Sequence, residues 1–494
     1  MDDVFDVAVV GCGVAGLSAA VAAQEAGARV VVIERAPEAE YGGNTRYTEA
    51  FLRMKSVTEV ADDFTAHLQA NAGYNIDPSL AMHTLSSEAS QPAIAKTLNM
   101  LDPGLIDSFA AAAGPTLEWL GTLGVTFTPI ESPFLVKSTT RWAPSGGGLQ
   151  LIEALMQRLR DRSVTVLFET TAQGLLIDPD TGAVTGLTCL RSGARVRIPA
   201  RSVVLACGGF EGNPEMLSRY VHHANYARPV ARGGYYNRGE GIQMALAAGA
   251  AGCGDYQLFH AEPIDPRSGI AEPALFIFPF GILVNSEGRR FVDEAQGPVD
   301  ATYEAVTRKV LEQPGGLSYV VLDGKIEDVP NYQVAIRTDQ PPVRAASIEE
   351  LAVALDLPQR ALAETVSSFN EACDTTAAFD PTRPDGLRAG GLAVPKSNWS
   401  RPLDRPPFTA YPLACANVFT FGGLKTNSRS EVLASDGGVM PGLYAAGETA
   451  GIYFGTYTGS TSVLRGAVFG RIAGGEAARK AGSAARTEPA VPVS

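Results

Sequence analysis

The chain is 494 residues long, with 45% hydrophobic and 19% charged residues and a formal net charge of −13. This composition is typical of a globular protein of two or three domains, with a core large enough to enclose a ligand. The negative charge argues against the basic surface that nucleic acid and anionic membranes require, so neither is an expected partner.

The cysteines and the apolar runs indicate the cellular compartment of the protein. Six cysteines are scattered without a CxxC pair, which is typical of buried thiols in a reducing compartment and not of a disulfide framework or a metal site. No basic leader follows Met1. The longest apolar run, Ala274 to Val284, is interrupted by Pro279 and is far shorter than the ~20 residues that span a bilayer. We therefore expect a soluble cytoplasmic protein with no membrane span and no metal.

The first predicted unit runs from Asp6 to Glu34 and has the pattern strand, helix, strand. An apolar strand precedes Gly11-Cys12-Gly13-Val14-Ala15-Gly16, and an Ala-rich helix follows from Leu17 to Ala26. Val30 to Ile33 is β-branched enough for a second buried strand. The pattern predicts a βαβ unit with the dinucleotide fingerprint GxGxxG at its first turn.

Each glycine of this fingerprint has a physical task. Gly11 permits the tight turn, Gly13 lets the backbone approach a pyrophosphate, and Gly16 lets helix and strand pack closely. The phosphates would lie at the positive N-terminus of the helix, and Glu34 would accept hydrogen bonds from a ribose. An acidic residue at this position argues against a 2′-phosphate. The alternative is a glycine-rich turn in an ordinary α/β protein.

Several elements are predicted between this unit and the middle of the chain. The loop Gly42-Gly43-Asn44-Thr45-Arg46 offers amide and hydroxyl donors. In chain order, the others are a helical region from Val57 to Leu123, a glycine loop from Arg141 to Gly148, a helix from Leu149 to Leu159, and strands at Val164 to Leu167, Val184 to Leu190, Arg195 to Ile198 and Ser202 to Ala206.

The middle of the chain is mixed in composition and rich in loops. A strand is predicted at Gly281 to Asn285, with helices at Ser347 to Leu355 and Pro358 to Ala372. We interpret residues 226–402 as an inserted α+β cap domain that carries substrate-binding residues. Residues 1–225 form the first part of the dinucleotide-binding domain.

The second part of that domain is assigned to residues 403–480. It contains a strand and a glycine turn at Gly442 to Glu448 and a closing helix from Ser462 to Lys480. Residues 481–494 consist largely of small residues and prolines and are predicted to be disordered.

Four segments together resemble the fumarate reductase/succinate dehydrogenase flavoprotein superfamily. They are Gly11 to Gly16, Ala206 to Phe210, Gly281 to Glu294, and Gly442 to Arg471. The loops at Gly42 to Arg46, Phe419 to Leu424 and Tyr457 to Gly466 are most similar to those of tricarballylate dehydrogenase-like members. The resemblance covers essentially the whole chain. It implies an α/β fold with a Rossmann-type, GR2-like FAD-binding domain and an inserted α+β cap.

The resemblance implies FAD as the cofactor. Glu448 would reach the ribitol, and Ser462 would begin a helix whose N-terminus stabilises negative charge on the reduced flavin. Members with covalent FAD attach it through a histidine in the loop matching Gly42 to Arg46, and because no histidine occurs there, non-covalent FAD is expected. The implied FAD contacts are Gly11, Gly13, Val14, Ala15, Gly16, Glu34, Arg35, Gly42, Gly43, Asn44, Thr45, Ala172, Gly208, Gly447, Glu448, Ser462 and Val463.

The sequence departs from the fumarate reductases where they hold and protonate their substrate. The proton-donating arginine is matched by Pro298, and the carboxylate-clamping histidine by Phe419. The clamping arginine falls among Tyr457, Thr458 and Gly459. These losses remove both the carboxylate recognition and the acid, so fumarate reduction by that machinery is not expected.

Four side chains remain as candidates for substrate chemistry: Tyr457, His260, Arg141 and Arg465. A tyrosine in the loop matching Tyr457 binds the ketone in ketosteroid dehydrogenases, and His260 lies near a substrate-contacting position of the family. Arg141 and Arg465 could hold a carboxylate. The alternatives are packing under the flavin for Tyr457, a structural hydrogen bond for His260, and bracing of a loop for Arg465.

Other polar residues are predicted to be peripheral. Arg290 and Glu294 are interpreted as a structural ion pair of the cap, and the adjacent His222 and His223 as surface residues. Tyr235 and Tyr236 are further pocket candidates.

The resulting prediction is an FAD-dependent oxidoreductase that acts on a CH–CH bond next to a carboxylate or ketone. It could work as a dehydrogenase, as a ketosteroid or cyclic-ketone dehydrogenase, or as an alkene reductase, because the fold does not set the direction. No second GxGxxG follows a strand, so an external electron acceptor or donor is expected. The alternative from another class is a flavin-binding redox sensor without turnover.

Overall fold

The glycine fingerprint lies in a βαβ unit, as the sequence predicts. In the computed structural model, which describes residues 4–73, 93–130, 140–222, 227–374 and 376–487, β1 spans Phe5–Val10, α1 spans Val14–Glu25 and β2 spans Val30–Ile33. The helix begins inside the fingerprint, earlier than the predicted start at Leu17. Its first backbone N–H groups therefore lie at the glycine turn itself.

The other elements follow in chain order. The helices are α2 (Phe64–Ala70), α3 (Ala93–Thr97), α4 (Pro103–Thr122), α5 (Gly147–Asp161), α6 (Pro214–Tyr220), α7 (Glu240–Ala247), α8 (Val299–Leu311), α9 (Ile348–Ala354), α10 (Gln359–Ala372) and α11 (Ser462–Thr487). The strands are β3 (Phe127–Ile130), β4 (Arg141–Pro144), β5 (Thr165–Leu167), β6 (Thr170–Ile177), β7 (Val184–Arg191), β8 (Ala194–Leu205), β9 (Arg228–Pro229), β10 (Gly252–Cys253), β11 (Phe259–Ile264), β12 (Ile282–Asn285), β13 (Leu317–Leu322), β14 (Val343–Ala345), β15 (Phe408–Thr420), β16 (Gly423–Leu424), β17 (Glu431–Leu433) and β18 (Val439–Ala445).

The larger sheet has the strand order β17-β18-β8-β1-β2-β5. Its central strands run parallel: β1 pairs with β2 and β8, β8 pairs with β18, and β2 pairs with β5. Because parallel strands end at the same edge, the glycine turn, Glu34 and the end of β8 come together there. This edge is where a ligand binds in such sheets.

Strand β8 pairs with different strands along its length. Its first half pairs antiparallel with β7, and its second half runs beside β1. The sequence predicted two strands here, Arg195 to Ile198 and Ser202 to Ala206. The two predicted strands form one continuous strand. Pro199, which lacks an N–H group, lies where β8 changes its partner from β7 to β1, and a missing ladder hydrogen bond costs least at that point.

The second sheet has the order β11-β15-β13-β12, with β9 and β14 also paired to β15. The structure differs here from the boundary predicted at residue 402. Strand β15 lies after that boundary, yet all its partners lie between Arg228 and Ala345. It is the central strand of the cap sheet, and its nearly continuous burial explains its apolar sequence.

Helix α11 packs along α1 at a short distance. A methyl group on Gly470 or Gly474 would lie 2.2 or 2.0 Å from the backbone oxygen of Ala15 or Ala19. Only glycine allows this approach. The helix continues to Thr487, into the segment predicted to be disordered, and residues 488–494 lie outside the described residues.

The predicted helical region from Val57 to Leu123 contains α2, α3 and α4, and residues 74–92 within it lie outside the described residues. The buried core lies on both faces of the larger sheet and around the cap sheet. Among the described residues, no helix combines the length and the apolar character needed to cross a membrane.

Candidate active site

A cavity lies where β1, β2 and β8 end and where α1 and α11 begin. Almost all of the residues that the resemblance assigned to FAD line it. They are Gly11, Gly13, Val14, Ala15, Glu34, Arg35, Gly43, Asn44, Thr45, Ala172, Gly208, Gly447, Glu448, Ser462 and Val463. Residues from both ends of the chain therefore meet around one space.

Gly16 and Gly42 are not among the residues that line the cavity. A methyl group on Gly16 would lie 1.9 Å from the backbone oxygen of Gly11, so this glycine serves the packing of helix on turn. Gly42 has φ +118° and packs against Ile152. Both glycines shape the backbone around the cavity without facing it.

Gly13 is different, because nothing in the protein requires it to be glycine. Its φ is −69°, and a methyl group placed on it would meet no described atom closer than 3.8 Å. Gly13 is also the N-cap of α1, and as a glycine it has no side chain of its own to cap that helix end. The open N–H groups and the free space beside them fit a pyrophosphate.

Glu34 is buried at the end of β2 and bound by the backbone. Its carboxylate accepts hydrogen bonds from the N–H groups of Cys12 and Ala36, each at 2.7 Å. Burial raises the pKa of Glu34, and the two N–H donors counteract that rise. The carboxylate is thus held in one orientation with its remaining lone pairs available to a ribose.

The loop after β2 supports the start of α1. Thr45 Oγ1 accepts a hydrogen bond of 3.3 Å from the N–H group of Val14. Asn44 Nδ2 donates to Glu211 at 2.7 Å and to the oxygen of Val418 at 2.9 Å, and its buried Oδ1 has no hydrogen-bond partner among the described residues. A buried amide oxygen of this kind marks a position where a ligand donor fits.

Two buried carboxyls, Glu211 and Glu448, lie together on the other side of the cavity. Glu448 accepts hydrogen bonds from the N–H and hydroxyl groups of Thr420 at 2.7 and 3.1 Å. Burial and then the neighbouring Glu448 raise the pKa of Glu211, and burial raises that of Glu448. The pair therefore holds fewer negative charges than two free carboxylates, which suits a position beside a cofactor with phosphates.

The start of α11 carries Tyr457 on its N-terminal side. The Tyr457 hydroxyl accepts hydrogen bonds from the N–H groups of Thr461 and Ser462 at 3.0 and 3.1 Å and donates to Ser462 Oγ at 3.0 Å. The hydroxyl thus satisfies two backbone donors at this helix end. Since Ser462 lines the cavity, Tyr457 is one hydrogen bond away from it.

His260 lies beside Tyr457 in a recess walled by aromatic rings. Its ring is centred 4.5 Å from that of Tyr457 and 5.1 Å from that of Phe419, which also lines the cavity. Its Nε2 makes a 2.6 Å hydrogen bond with the Tyr303 hydroxyl, and its buried Nδ1 has no partner among the described residues. Burial and the nearby Arg308 lower the pKa of His260 to about 3, so it is neutral at pH 7.

The two candidate arginines lie on different sides of this recess. Arg465 is 2% exposed, lines the cavity and stacks over Tyr453 and Phe419 with its guanidinium carbon 4.4 and 5.4 Å from the ring centres. Arg141 does not line the cavity; its Nε donates to Ser460 Oγ at 2.7 Å. The structure therefore places Tyr457, His260, Arg141 and Arg465 within residues 457–465 or against them.

The peripheral residues are mostly placed as the sequence indicated. Arg290 and Glu294 form a buried ion pair at 2.6 Å, as predicted. His222 is exposed, and His223 lies outside the described residues. Tyr235 is 55% exposed, whereas Tyr236 lines the cavity.

Several residues of the site carried no signal in the sequence. Glu211 and Asn237 are buried at the cavity and are joined by a 2.6 Å hydrogen bond. Arg53 lies against Gly459, and its bidentate partner is Asp63. Isolated polar residues in loops have no periodicity or spacing that would distinguish them from solvated ones.

The chain is similar to flavin enzymes over most of its length. It is 26% identical to the NADH:acrylate oxidoreductase of Vibrio harveyi, over 96% of this chain and 50% of that protein. The chain spans about half the length of the first two curated relatives that it matches.

Solved structures show the same architecture. The open conformation of a flavocytochrome c3 fumarate reductase has a TM-score of 0.72 and 24% identity, and covers 97% of this chain and 79% of its own. The 3-ketosteroid-delta4-(5alpha)-dehydrogenase of Rhodococcus jostii RHA1 has a TM-score of 0.65 and 26% identity, and covers 97% of each chain. These likenesses agree with the Rossmann-type sheet, the inserted cap sheet and the position of the cavity.

The open space at Gly13, the N-terminus of α1, the Asn44 amide oxygen with no partner among the described residues and the fixed carboxylate of Glu34 all fit FAD. The FAD binding domain family matches residues 6–464, nearly the whole chain, and the protein belongs to this family and to the fumarate reductase/succinate dehydrogenase superfamily of flavoproteins.

Proposed function

We propose that the protein is an FAD-dependent oxidoreductase that adds or removes hydrogen across a carbon–carbon bond next to a carboxylate or ketone. The observation that supports this is the aromatic recess of His260, Tyr303, Phe419 and Tyr457 beside the FAD cavity. Phe419 lines the FAD cavity and packs against His260 and Tyr457, so a small molecule bound at these rings would lie next to the cofactor.

The walls of the recess suit hydride chemistry. When bound, FAD supplies hydride transfer between its isoalloxazine ring and a substrate carbon. The rings exclude water from the space and present flat apolar surfaces to a planar, conjugated substrate. Excluding water matters to an enzyme that turns over and much less to a protein that only holds a flavin.

We propose that Tyr457 and Ser462, which are joined by a hydrogen bond, hold the proton that moves to or from the substrate. The Tyr457 hydroxyl receives two backbone N–H groups and directs its own hydrogen to Ser462 Oγ, which lines the cavity. This geometry holds a proton at one defined atom between recess and cavity. His260, neutral at pH 7, would position the substrate and Tyr303 by hydrogen bonding.

The same proposal includes the partner that exchanges electrons with the flavin. We propose that electrons reach or leave this flavin through an external partner, because no second GxGxxG follows a strand in this sequence. Rapid and stoichiometric flavin reduction by NADH alone would contradict this.

We also propose non-covalent FAD, which acid precipitation should release completely into the supernatant.

The six cysteines occur as free thiols, which supports our proposal of a reducing, cytoplasmic location. Cell fractionation would test it, and recovery from a secreted or periplasmic fraction would contradict it.

The central experiment is anaerobic and uses the FAD-loaded protein. Saturated carboxylic acids and cyclic ketones should bleach the oxidised flavin, or their α,β-unsaturated counterparts should reoxidise a chemically reduced flavin. Absorbance at the flavin band measures both directions. If no compound of either class changes the redox state of the flavin, the proposal is wrong and a redox sensor without turnover is favoured.

A further inference from the structure

Glu211 is a buried carboxyl group beside the cavity that the resemblance to flavoproteins did not assign to FAD. It is 1% exposed and is not among the residues that line the cavity. Its neighbour Glu448 does line the cavity, and the two side chains form a hydrogen bond with each other. Two ionised carboxylates offer only acceptors, so this hydrogen bond requires a proton on one of them.

The donors around Glu211 reach only one of its two oxygens. Asn44 Nδ2 and Asn237 Nδ2 donate to Oε1, at 2.7 and 2.6 Å. Oε2 is buried, and no N–H or O–H group of the described residues donates to it. An ionised oxygen in that position would be buried without a donor, which is costly, whereas a protonated Oε2 can donate its own hydrogen to Glu448.

Glu448 has the surroundings of an ionised carboxylate. Its Oε1 accepts hydrogen bonds from the N–H and hydroxyl groups of Thr420 at 2.7 and 3.1 Å. The Thr420 hydroxyl also accepts the N–H group of Phe210 at 3.2 Å, so its one hydrogen is available to Glu448. Burial raises the pKa of Glu448, whereas the hydrogen bonds that it accepts and the charge of Arg465 lower it. These donors and this charge leave the proton to Glu211.

The backbone before Glu211 packs closely on the Glu448 carboxyl group. A methyl group on Gly209 would lie 2.1 Å from both Glu448 Oε1 and Thr420 Oγ1. The chain from Gly209 to Glu211 therefore passes directly beside this carboxyl group and brings the Glu211 side chain to it. Burial and then the charge of Glu448 raise the pKa of Glu211, which agrees with a neutral Glu211.

We propose that Glu211 is a positioning residue, a neutral acid that donates a hydrogen bond to the Glu448 carboxylate and holds it in place for FAD. The inference goes beyond the proposed function, because it concerns how the cofactor is held and not which substrate is oxidised or reduced. One shared proton also keeps a second negative charge away from a cofactor that carries a pyrophosphate.

Two substitutions at Glu211 separate the donated hydrogen from the charge. Glu211→Gln keeps an oxygen for Asn44 and Asn237 and presents an N–H₂ group to Glu448, so it matches a neutral Glu211 in shape and in hydrogen bonding. Glu211→Met keeps the length of the side chain and removes both donor and acceptor. Glu215→Gln, on an exposed position of α6, makes the same chemical change four residues away and is the control.

FAD affinity is measured by fluorescence titration of the full chain after removal of FAD, at pH 7. Glu211→Gln should bind FAD within about two-fold of the parent, as should the control Glu215→Gln. Glu211→Met should bind FAD about ten-fold or more weakly, because the amides of Asn44 and Asn237 lose a buried acceptor and Glu448 loses a hydrogen bond.

Infrared spectroscopy of the FAD-loaded protein detects the proton itself. A protonated carboxyl group has a C=O stretching band that a carboxylate lacks. The difference spectrum of the parent minus Glu211→Gln should contain this band at pH 7. The spectrum of the parent minus Glu215→Gln should not, because an exposed glutamate is ionised at that pH.

Each outcome decides about Glu211 alone. The absence of the carboxylic acid band would show that Glu211 is ionised and would overturn the inference. FAD binding by Glu211→Gln that differs about ten-fold or more from the parent, in either direction, would also overturn it, as would parent-like binding by Glu211→Met. If Glu211→Met does not fold, the infrared band and Glu211→Gln still decide. Flavin bleaching across the substrate panel would stand in all of these cases, so the proposed function is tested separately.

Discussion

The FAD cavity and the aromatic recess beside it are built in opposite ways. At the cavity, the fingerprint from Gly11 to Gly16 supplies a turn and a helix end, and Glu34 is held by two backbone N–H groups. At the recess, the contacts are between side chains far apart in sequence, such as His260 with Tyr303 and Tyr457. A site made from backbone geometry is visible in a short motif, whereas a site made from side chains is visible only after folding.

This contrast follows from what each ligand presents. FAD is constant across the family, and a pyrophosphate needs N–H groups and space, which glycine supplies. A substrate differs from one enzyme to the next, so its contacts change without changing the fold. Phe419, which the resemblance matches to a carboxylate-clamping histidine, lines the cavity and pairs in register with His260.

The largest expected effect distinguishes two glycines of the same motif. In Gly11→Ala the new methyl group would lie 2.3 Å from the oxygen of Ala206, at φ +106°, so we expect the loss of about 4 kcal/mol or more in the free energy of unfolding. In Gly13→Ala the methyl group enters free space, so the apoprotein should unfold within about 0.5 kcal/mol of the parent.

FAD titration completes this comparison. Gly13→Ala should nevertheless weaken FAD by about 100-fold, because its methyl group would occupy the position of the pyrophosphate. Chemical denaturation of the apoproteins and fluorescence titration with FAD measure the two quantities. FAD binding by Gly13→Ala as tight as that of the parent would show that the pyrophosphate does not lie at this turn.

Tyr457→Phe tests whether the recess carries chemistry or only packing. The variant removes the hydroxyl that binds Thr461 N, Ser462 N and Ser462 Oγ. Loss of a proton-transferring group should lower the rate of flavin reduction or reoxidation by about 100-fold, with a changed pH profile. Stopped-flow absorbance measures the rate. A purely structural hydroxyl would change the thermal stability of α11 and leave the pH profile of the rate as in the parent.

Glu34→Gln tests the backbone-held part of the cavity. One of the N–H groups of Cys12 and Ala36 would then face an amide N–H₂ group in place of a carboxylate oxygen. An unsatisfied buried donor costs about 1–3 kcal/mol, and we expect that loss in both apoprotein stability and FAD binding. Equal FAD affinity in the variant and the parent would remove Glu34 from the ribose site. Glu38→Gln, on the exposed side of the same loop, is the matched control.

The last prediction is a pH dependence of the free energy of unfolding that comes from the recess. The pKa of His260 is lowered to about 3 by burial, so His260 binds its proton less readily in the fold than in the unfolded chain. Its neutral form therefore contributes stability above pH ~6.5, which is lost as the pH falls toward 3, with a slope of at most about 1.4 kcal/mol per pH unit.

His260→Gln keeps an acceptor for Tyr303 and should flatten this slope between pH 6 and 4. Urea unfolding at several pH values measures it, and the exposed His222→Gln is the control, which should follow the parent curve. An unchanged slope in His260→Gln would mean that His260 is not buried from solvent as the structure shows.

The elements with strong local patterns were predictable. The βαβ unit, the helices near Ser347 to Leu355 and Pro358 to Ala372, and the strand before Asn285 all occur within a residue or a few of the predicted positions. Their signals are local, namely the glycine turn, the helix caps and the apolar runs. The ion pair of Arg290 and Glu294 was also predictable, because two residues of opposite charge stand close together in the sequence.

The boundary of the cap was not predictable, for a physical reason. Strand β15 looks the same in sequence whether it belongs to the FAD-binding sheet or the cap sheet, since both bury a continuous apolar strand. Only the pairing of backbone hydrogen bonds assigns it. Likewise, Gly16 and Gly42 belong to glycine motifs but pack against the protein itself, Gly16 on the backbone of Gly11 and Gly42 on the side chains of Arg46 and Ile152.

The sequence by itself determined that a dinucleotide binds, because phosphate binding depends on backbone groups whose positions a short run of glycines sets, and the likeness of four segments to known flavoproteins indicated FAD. Only the tertiary structure brought together the side chains next to the cavity. His260, Tyr303 and Tyr457 are separated along the chain by tens or hundreds of residues, and no local pattern marks them; their contacts come from the packing of β11, α8 and the loop before α11. Local geometry is written in neighbouring residues, whereas a meeting of distant side chains depends on the whole fold.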